Sequence, residues 1–222
     1  MLSERLLELS LVGAEWVLWL LIILSFFSVA LVADRAILYF RTREKLGELE
    51  PALNGALARG DVAAARKALD GDSLVRNVLR AGLDAVQASS GDPARVEQAM
   101  LGTLAREKAR YEARLTPLGT IGNNAPFVGL FGTVLGIINA FHNLGKLDAS
   151  QVASNQIVMS AIGDALVATG VGIMVAIPAV AAYNWAKSSV KNRVRHAQAL
   201  MGALLAGLGK SSLTPVARED EV

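Results

Sequence analysis

The stretch Leu115–Gly145, LTPLGTIGNNAPFVGLFGTVLGIINAFHNLG, contains 31 residues without a formal charge. The stretch Ala149–Ala186, ASQVASNQIVMSAIGDALVATGVGIMVAIPAVAAYNWA, contains 38 residues and a single charge, on Asp164. A third stretch, Trp16–Ala33, adds 18 uncharged residues. Because about 20 apolar residues cross a ~30 Å hydrocarbon core as a helix, these stretches predict an all-α integral membrane protein with three transmembrane helices.

Breakers and flanking charges set the predicted boundaries of eight segments. The three spans are predicted at residues 13–34, 117–143 and 157–185, and a loop at 144–156 joins the last two. The remaining segments are a helical domain at 35–116, extended by a further helix at 186–209, and a disordered tail at 210–222. Residues 1–12 have leucines at helical spacing between acids, which predicts an amphipathic segment on the membrane surface. A frayed continuation of the first span is the alternative for that segment.

Lysines and arginines near the span ends predict the orientation of the chain. Four of them follow the first span, four precede the second, and four follow the third: Arg35, Arg41, Arg43 and Lys45; Arg106, Lys108, Arg110 and Arg114; Lys187, Lys191, Arg193 and Arg195. Such clusters are retained on the cytoplasmic side. The N-terminus and the loop at 144–156 are therefore predicted to be periplasmic. A signal peptide cleaved near Ser28-Val29-Ala30 is disfavoured because the required positive n-region is missing.

The segment between the first two spans is predicted to be helical throughout. The residues from Asp34 to Arg114 include 26 of the 42 charged residues, scattered through alanine- and leucine-rich runs without the alternation typical of strands. Three turn and cap signals divide it: Gly60-Asp61, Gly71-Asp72-Ser73 and Gly91-Asp92-Pro93. The last helix is predicted to run from Pro93 to about Leu115, straight up to the second span. Its charges are interpreted as a solvated face.

Composition excludes several classes of function. The chain has no cysteine and two histidines, so a disulfide framework, a thiolate zinc site and a histidine metal site are not expected. Its net charge of +2 comes from interspersed acids and bases, so nucleic acid is not an expected partner. No nucleophile elbow, paired carboxylates or dinucleotide fingerprint is present, and we do not expect an enzyme.

Small residues in the last two spans recur at spacings that allow helix backbones to approach closely. The second span contains Gly132-x-x-x-Gly136, and the third contains Ala165 and Gly172 in two such rows. This pattern favours an oligomer. Pro178 predicts a kink in the third span.

Three polar residues in these spans are candidates for function. Asp164 is ionisable within a span, which costs about 2.5–3.5 kcal/mol at the centre of a helix and usually indicates a cavity or a partner. Snorkelling or a structural hydrogen bond is the alternative for this carboxylate. Thr133 and Thr169 lie near the middle of the second and third spans, where repeated subunits would form a polar ring. The alternative for each is a hydroxyl that bonds back to a helix carbonyl.

Three sequences in these spans carry a resemblance to a known family. They are NAPFVGLFGTVLGI at Asn124–Ile137, DALVATGVG at Asp164–Gly172 and AIPAVAAYN at Ala176–Asn184. This combination resembles the ExbB/TolQ branch of the MotA/TolQ/ExbB proton-channel family. The resemblance is dense over residues 117–187, and the three-span layout with a helical domain agrees over nearly the whole chain.

The resemblance implies a bacterial inner-membrane subunit that assembles as a homo-oligomeric ring, a pentamer. The ring would enclose a single-span partner of the ExbD/TolR type, whose aspartate takes and releases protons. Thr133 and Thr169 match the family's two pore-facing threonines, and Asp164 stands where relatives commonly have glutamate. The complex would be driven by protons, with no bound cofactor; another coupling ion is the alternative. A periplasmic or outer-membrane effector is a further implied partner.

The leading functional hypothesis is a proton-channel or stator subunit of a motor that converts the proton-motive force into mechanical work on the cell envelope. Three processes stay open: outer-membrane import, Tol-like envelope maintenance and gliding motility. The alternative is a passive oligomeric membrane scaffold or an uncoupled pore. In that case Thr133 and Thr169 would tolerate replacement by valine.

Overall fold

The computed structural model describes residues 15–43, 46–89, 91–145 and 155–208. Within these ranges the chain forms seven α-helices and no strand. They are α1 (Glu15–Arg41), α2 (Leu46–Ala58), α3 (Val62–Ala68), α4 (Leu74–Ala88), α5 (Pro93–Glu112), α6 (Leu115–Leu144) and α7 (Asn155–Leu208). The predicted segments 1–12 and 210–222, and most of the loop at 144–156, lie outside the described residues.

Three of the helices, α1, α6 and α7, are long and apolar enough to cross a membrane. Helix α1 continues to Arg41, beyond the predicted end of the first span at residue 34. Helix α6 begins at Leu115 and takes Pro117 into its first turn, where a proline removes no intrahelical hydrogen bond. The predicted third span and the helix after it form one continuous helix of 54 residues, about 80 Å long at 1.5 Å per residue. This helix is unbroken at Pro178.

The turns between α1 and α5 confirm the cap signals read from the sequence. Asp61 caps α3 by accepting from the backbone N–H of Ala64 at 2.9 Å. Ser73 caps α4, and Asp92 caps α5 immediately before Pro93. Each preceding glycine has a positive φ that other residues rarely adopt: Gly60 at 67°, Gly71 at 116° and Gly91 at 83°.

The prediction of an uninterrupted helix from Pro93 to Leu115 is wrong. Helix α5 ends at Glu112, and Arg114 adopts a φ of 63°, which breaks the helix before α6 begins. A left-handed conformation is costly for a residue with a Cβ. The Arg114 guanidinium lies 2.9 Å from a carboxylate oxygen of Asp34 on α1. Sequence spacing does not reveal this ion pair, because its two residues are far apart in the chain.

The described residues fall into two compact units. The first unit comprises the described parts of Met1–Arg35 and Arg114–Trp185, and the second those of Ala36–Ala113 and Ala186–Val222. The first unit packs apolar side chains of α1, α6 and α7 around a common core: Val17, Leu21, Ile121, Ala125, Val175 and Ala176. In the second unit Gly82 of α4 lies directly against Met100 of α5 and Leu204 of α7, so a side chain there would collide with both.

Candidate functional site between α6 and α7

Helices α6 and α7 approach each other closely at Gly129 and Gly172. A Cβ atom on Gly129 would lie 2.6 Å from the carbonyl oxygen of Ala168, and one on Gly172 would lie 2.7 Å from that of Ala125. Both neighbours are backbone atoms and cannot turn aside. Only glycine therefore fits at these two positions, and the two helices pack backbone against backbone.

The contact between α6 and α7 extends in both directions from this point, and we refer to it as the glycine seam. Gly122 faces Val180 and Gly119 faces the ring of Tyr183, while Gly132 faces Ala168 and also Val17 of α1. The residue numbers rise along α6 as they fall along α7, so the helices are antiparallel. Positions whose numbers add up to about 301 therefore lie at one level along the seam.

This register places Thr133 and Thr169 at the same level. Thr133 follows Gly132, which contacts Ala168, and Thr169 follows Ala168 along α7. The level lies beside Val17, near the N-terminal end of α1 rather than at the middle of that helix. The seam thus places the two threonines that the sequence singled out at one level along the helix axes.

The hydroxyl of Thr133 is satisfied within its own helix. The side chain is buried, with 7% of its surface exposed, and Oγ1 donates to the carbonyl oxygen of Leu130 at 2.7 Å. This is the back-bonded arrangement that the sequence left as the alternative for both threonines. The lone pairs of this oxygen still allow it to accept a hydrogen bond.

Thr169 differs from Thr133 because its hydroxyl oxygen is buried and has no hydrogen-bond partner within the described residues. A buried hydroxyl without a partner costs about 1–3 kcal/mol. The Cα atom of Thr169 lies only 3.0 Å from the Cβ position of Gly129, so the backbone is fixed by the seam. The structure therefore holds one unsatisfied polar group at the level of both threonines.

Asp164 lies apart from this pair, five residues towards the N-terminus of α7. Its side chain is exposed, and no hydrogen bond or ion pair to another described residue satisfies the carboxylate. At 1.5 Å per residue it is about 8 Å from Thr169 along the helix axis. The seam does not bring Asp164 and Thr169 together.

Most of the residues predicted to pack between helices are buried, and one is exposed. Gly132, Gly136, Ala165 and Gly172 are buried, whereas Pro178 is exposed. Gly129, the position of closest approach on α6, was not among the packing residues predicted from the sequence. The sequence does indicate this position, because Gly122, Gly129 and Gly136 are spaced seven residues apart and therefore lie on one face of a helix. The motif Gly132-x-x-x-Gly136, with its spacing of four residues, does not include Gly129.

In the second unit, Arg193 of α7 contacts the C-terminal end of α1. Its guanidinium donates to the carbonyl oxygens of Tyr39 at 2.9 Å and Thr42 at 2.8 Å, which are carbonyls at the C-terminus of α1. It also lies 5.5 Å and 5.1 Å from the ring centroids of Tyr39 and Tyr111. The two rings stack on each other, so one arginine caps α1 and fixes an aromatic pair.

Metal binding finds no support in the part of the chain that the structure describes. No group of three or more His, Cys, Asp or Glu side chains there could hold a metal ion. The seam instead offers hydroxyl oxygens at one level between tightly packed apolar helices. Because the Thr169 oxygen is buried, it can exchange a hydrogen bond with a polar group from outside the chain only when α6 and α7 shift to expose it.

Comparison with known proteins points to one family. The model of the MotA/TolQ/ExbB proton channel family matches residues 70–199. The chain is 41% identical over 123 residues to the Tol-Pal system protein TolQ of Pseudomonas aeruginosa, an alignment covering 52% of each chain. It is 45% identical over 89 residues to the biopolymer transport protein ExbB of Neisseria gonorrhoeae, covering 40% of this chain and 39% of that one. The chain thus spans about half the length of the curated relatives it matches, or less.

Proposed function

Because this chain belongs to the MotA/TolQ/ExbB proton channel family, we propose that it is the proton-channel or stator subunit of a motor in the bacterial inner membrane. The motor would convert the proton-motive force into mechanical work on the cell envelope. The sequence features of the ExbB/TolQ branch and the relatives named TolQ and ExbB support this proposal. It makes the protein a channel component rather than an enzyme.

The observation that carries the proposal is the buried, unpartnered hydroxyl of Thr169 at the level of Thr133. Once a shift of α6 against α7 exposes this hydroxyl, a carboxyl group on a single-span partner of the ExbD/TolR type donates to it when protonated and accepts from it when ionised. One proton crossing 100 mV releases about 2.3 kcal/mol. That energy is comparable to a few hydrogen bonds, enough to shift which threonine the carboxyl engages.

The proposed assembly is a homo-oligomeric ring, a pentamer, around the partner helices. The proposed orientation puts the N-terminus and the loop at 144–156 in the periplasm, and the helical segment 35–116 and the C-terminus in the cytoplasm. The lysines and arginines at the inner ends of the three predicted spans support this orientation. No cofactor is required, since the free energy comes from protons; another coupling ion is the alternative.

A passive scaffold is the second candidate, and one observation favours it. Thr133 is already satisfied by the Leu130 carbonyl, as expected for a threonine that serves only helix packing. For a passive scaffold, the glycine seam serves only to pack α6 against α7, and the unpartnered hydroxyl of Thr169 has no role in proton transfer. The two candidates make opposite predictions for valine substitutions.

Valine replacements at the two threonines separate these candidates. Thr133→Val and Thr169→Val keep the side-chain shape and remove the hydroxyl, and Thr103→Val on α5 is the matched control outside the spans. Proteoliposomes containing the chain and its co-expressed partner would report proton uptake under an imposed potential. Loss of one transition-state hydrogen bond worth about 1.4 kcal/mol lowers a rate about tenfold.

We expect at least that loss for Thr169→Val, with Thr103→Val unchanged and assembly preserved in all variants. Unchanged uptake in the Thr133→Val, Thr169→Val double variant would leave the passive scaffold as the better account. The process that is powered is proposed to be outer-membrane import, Tol-like maintenance or gliding. The genes encoded beside the chain would separate these three, because each process needs different envelope proteins.

A further inference from the structure

One face of α7 carries basic side chains and no acidic ones. Lys187, Lys191 and Arg195 recur every four residues, so they lie within about 80° of one another around the helix. All three are exposed to solvent. No Asp or Glu occurs in α7 after Asp164. We refer to the three basic residues as the basic stripe.

The basic stripe lies on the side of α7 opposite Arg193. Arg193 faces the C-terminal end of α1, where it donates to the carbonyl oxygens of Tyr39 and Thr42. Lys191 and Arg195 are each two residues from Arg193, so they lie about 160° from it around the helix. Neither forms an ion pair with a described residue. The packing of α7 therefore leaves these two charges without an ionic partner.

Such a row of like charges is unfavourable for the helix. Cations four residues apart repel one another, which destabilises a helix when no counter-charge is near. The helix dipole does not offset this repulsion, because it acts within the last turn and Arg195 lies 13 residues before the end of α7 at Leu208. An anionic group bound along the stripe would remove the repulsion.

The direction of the stripe argues against lipid headgroups as that anionic group. The third span is predicted to end at residue 185, and Lys191 and Arg195 lie about 9 Å and 15 Å beyond it along the helix axis. The headgroup region adds only about 5–8 Å to each side of the hydrocarbon core. The stripe therefore extends out of the headgroup region, along a length of helix that a peptide can follow.

The chain itself contains an acidic segment within reach of the stripe. Residues 219–221, Glu-Asp-Glu, are the only consecutive acids in the sequence, and together with Arg218 they carry a net charge of −2. They belong to the tail at 210–222, outside the described residues. The 11 residues from Leu208 to the first of these acids span up to about 36 Å. Arg195 and Lys191 lie about 20 Å and 26 Å back from Leu208 along α7, so the segment can reach both cations.

We propose that the acidic segment at 219–221 binds the basic stripe of its own chain. Glu219 and Glu221 are two residues apart, which puts their carboxylates about 7 Å apart along an extended peptide. Lys191 and Arg195 are about 6 Å apart along α7, so each can pair with one carboxylate. The bound segment covers this face of α7, and an acidic segment of another protein reaches the stripe only by displacing it. This contact does not depend on whether the protein conducts protons.

The test measures the distance between the tail and α7 in the full chain. The sequence has no cysteine, so Ala217→Cys and Asn192→Cys place one spin label beside the acidic segment and one on α7, next to the stripe. Double electron–electron resonance in lipid nanodiscs gives the distance between the labels. The double-cysteine chain is co-expressed with an excess of cysteine-free chains, so that each measured pair of labels belongs to one chain.

A bound segment puts the labels within about 20 Å of each other, whereas an unbound tail separates them by about 30 Å with a broad spread. We expect Lys191→Gln with Arg195→Gln to lower the short-distance population about fivefold. Arg41→Gln with Arg43→Gln is the matched control and should leave it unchanged, because both arginines are exposed in the same unit and form no ion pair with a described residue. Raising the salt from about 0.15 M to about 1 M shortens the Debye length from about 8 Å to about 3 Å and should also lower the population.

Exchanging the charges separates specific pairing from a change in the fold of the protein. Lys191→Glu with Arg195→Glu should abolish the short distance, and adding Glu219→Lys with Glu221→Lys should restore it. The inference is overturned if the unmodified stripe gives no short distance, if the two glutamine substitutions in the stripe leave it intact, or if the control pair lowers it equally. A short distance found only between labels on different chains would also overturn it, because the stripe would then bind the tail of another copy.

Discussion

Replacing Gly129 by alanine should drive α6 and α7 apart. The new Cβ would lie 2.6 Å from the Ala168 carbonyl oxygen and 3.0 Å from the Cα atom of Thr169, against an ordinary contact of at least 3.4 Å. The backbones must therefore separate by about 0.8 Å, a gap that loses a quarter to a half of the dispersion energy at each contact. Gly170→Ala is the matched control, since a Cβ there meets nothing within 4 Å.

The magnitude of the effect is the balance of two terms. Overpacking a close contact costs about 1–3 kcal/mol, while glycine-to-alanine replacement in a helix gains up to about 1 kcal/mol. We expect Gly129→Ala to lower the free energy of unfolding by about 1–2 kcal/mol. Gly170→Ala should leave it unchanged or raise it by up to about 1 kcal/mol.

Unfolding in detergent micelles titrated with dodecyl sulfate would measure this difference. Trp16 of α1 packs edge-on against Phe131 of α6, with ring centroids 6.1 Å apart, so its fluorescence reports the first unit. Circular dichroism follows the helices in parallel. If Gly129→Ala proves as stable as Gly170→Ala, the close approach of α6 and α7 at this glycine is refuted.

Three further predictions concern the second unit. Arg193→Ala should lower the melting temperature of the purified chain, because it removes the cap of α1 and both cation–π contacts, whereas exposed Arg195→Ala should not; equal melting temperatures would contradict this. Tyr111→Phe should be neutral or stabilising in the same assay, because the buried phenol oxygen has no partner among the described residues; a clear loss would reveal a missing partner. The Arg110 guanidinium donates to both carboxylate oxygens of Asp72 and lowers the pKa of that carboxyl from 3.8 to about 2. The pair therefore stabilises the fold above about pH 4 and loses that contribution as the pH falls towards 2. Because both side chains are exposed to solvent, we expect this contribution to be about 1 kcal/mol. Asp72→Asn should remove it, so the free energy of unfolding of the variant should fall less between pH 4 and pH 2.

Local chemistry made part of this fold predictable. The three spans follow from uncharged stretches, and the helix starts at Asp61, Ser73 and Asp92 follow from glycine and cap residues that leave few alternatives. These signals depend on neighbours in sequence. The break at Arg114 does not, because an arginine gives no local hint of a positive φ and its partner Asp34 lies 80 residues away. The predicted α5 is therefore longer than the helix in the structure, which ends at Glu112.

The candidate site shows the same division. The residue types and the similarity to relatives pointed to Thr133 and Thr169, and helix register puts them at one level. Their different hydrogen bonding was not predictable, because it depends on which neighbour lies against each hydroxyl. The importance of Gly129 was also missed, since the backbone of α7 determines which glycine of α6 is closest.

Native mass spectrometry of the protein, expressed with and without its single-span partner, would decide whether it forms a ring around that partner. We expect a pentameric ring that retains one or two partner chains. A stable monomer or dimer that ignores the partner would contradict it and would return Thr133, Thr169 and Asp164 to roles in helix packing.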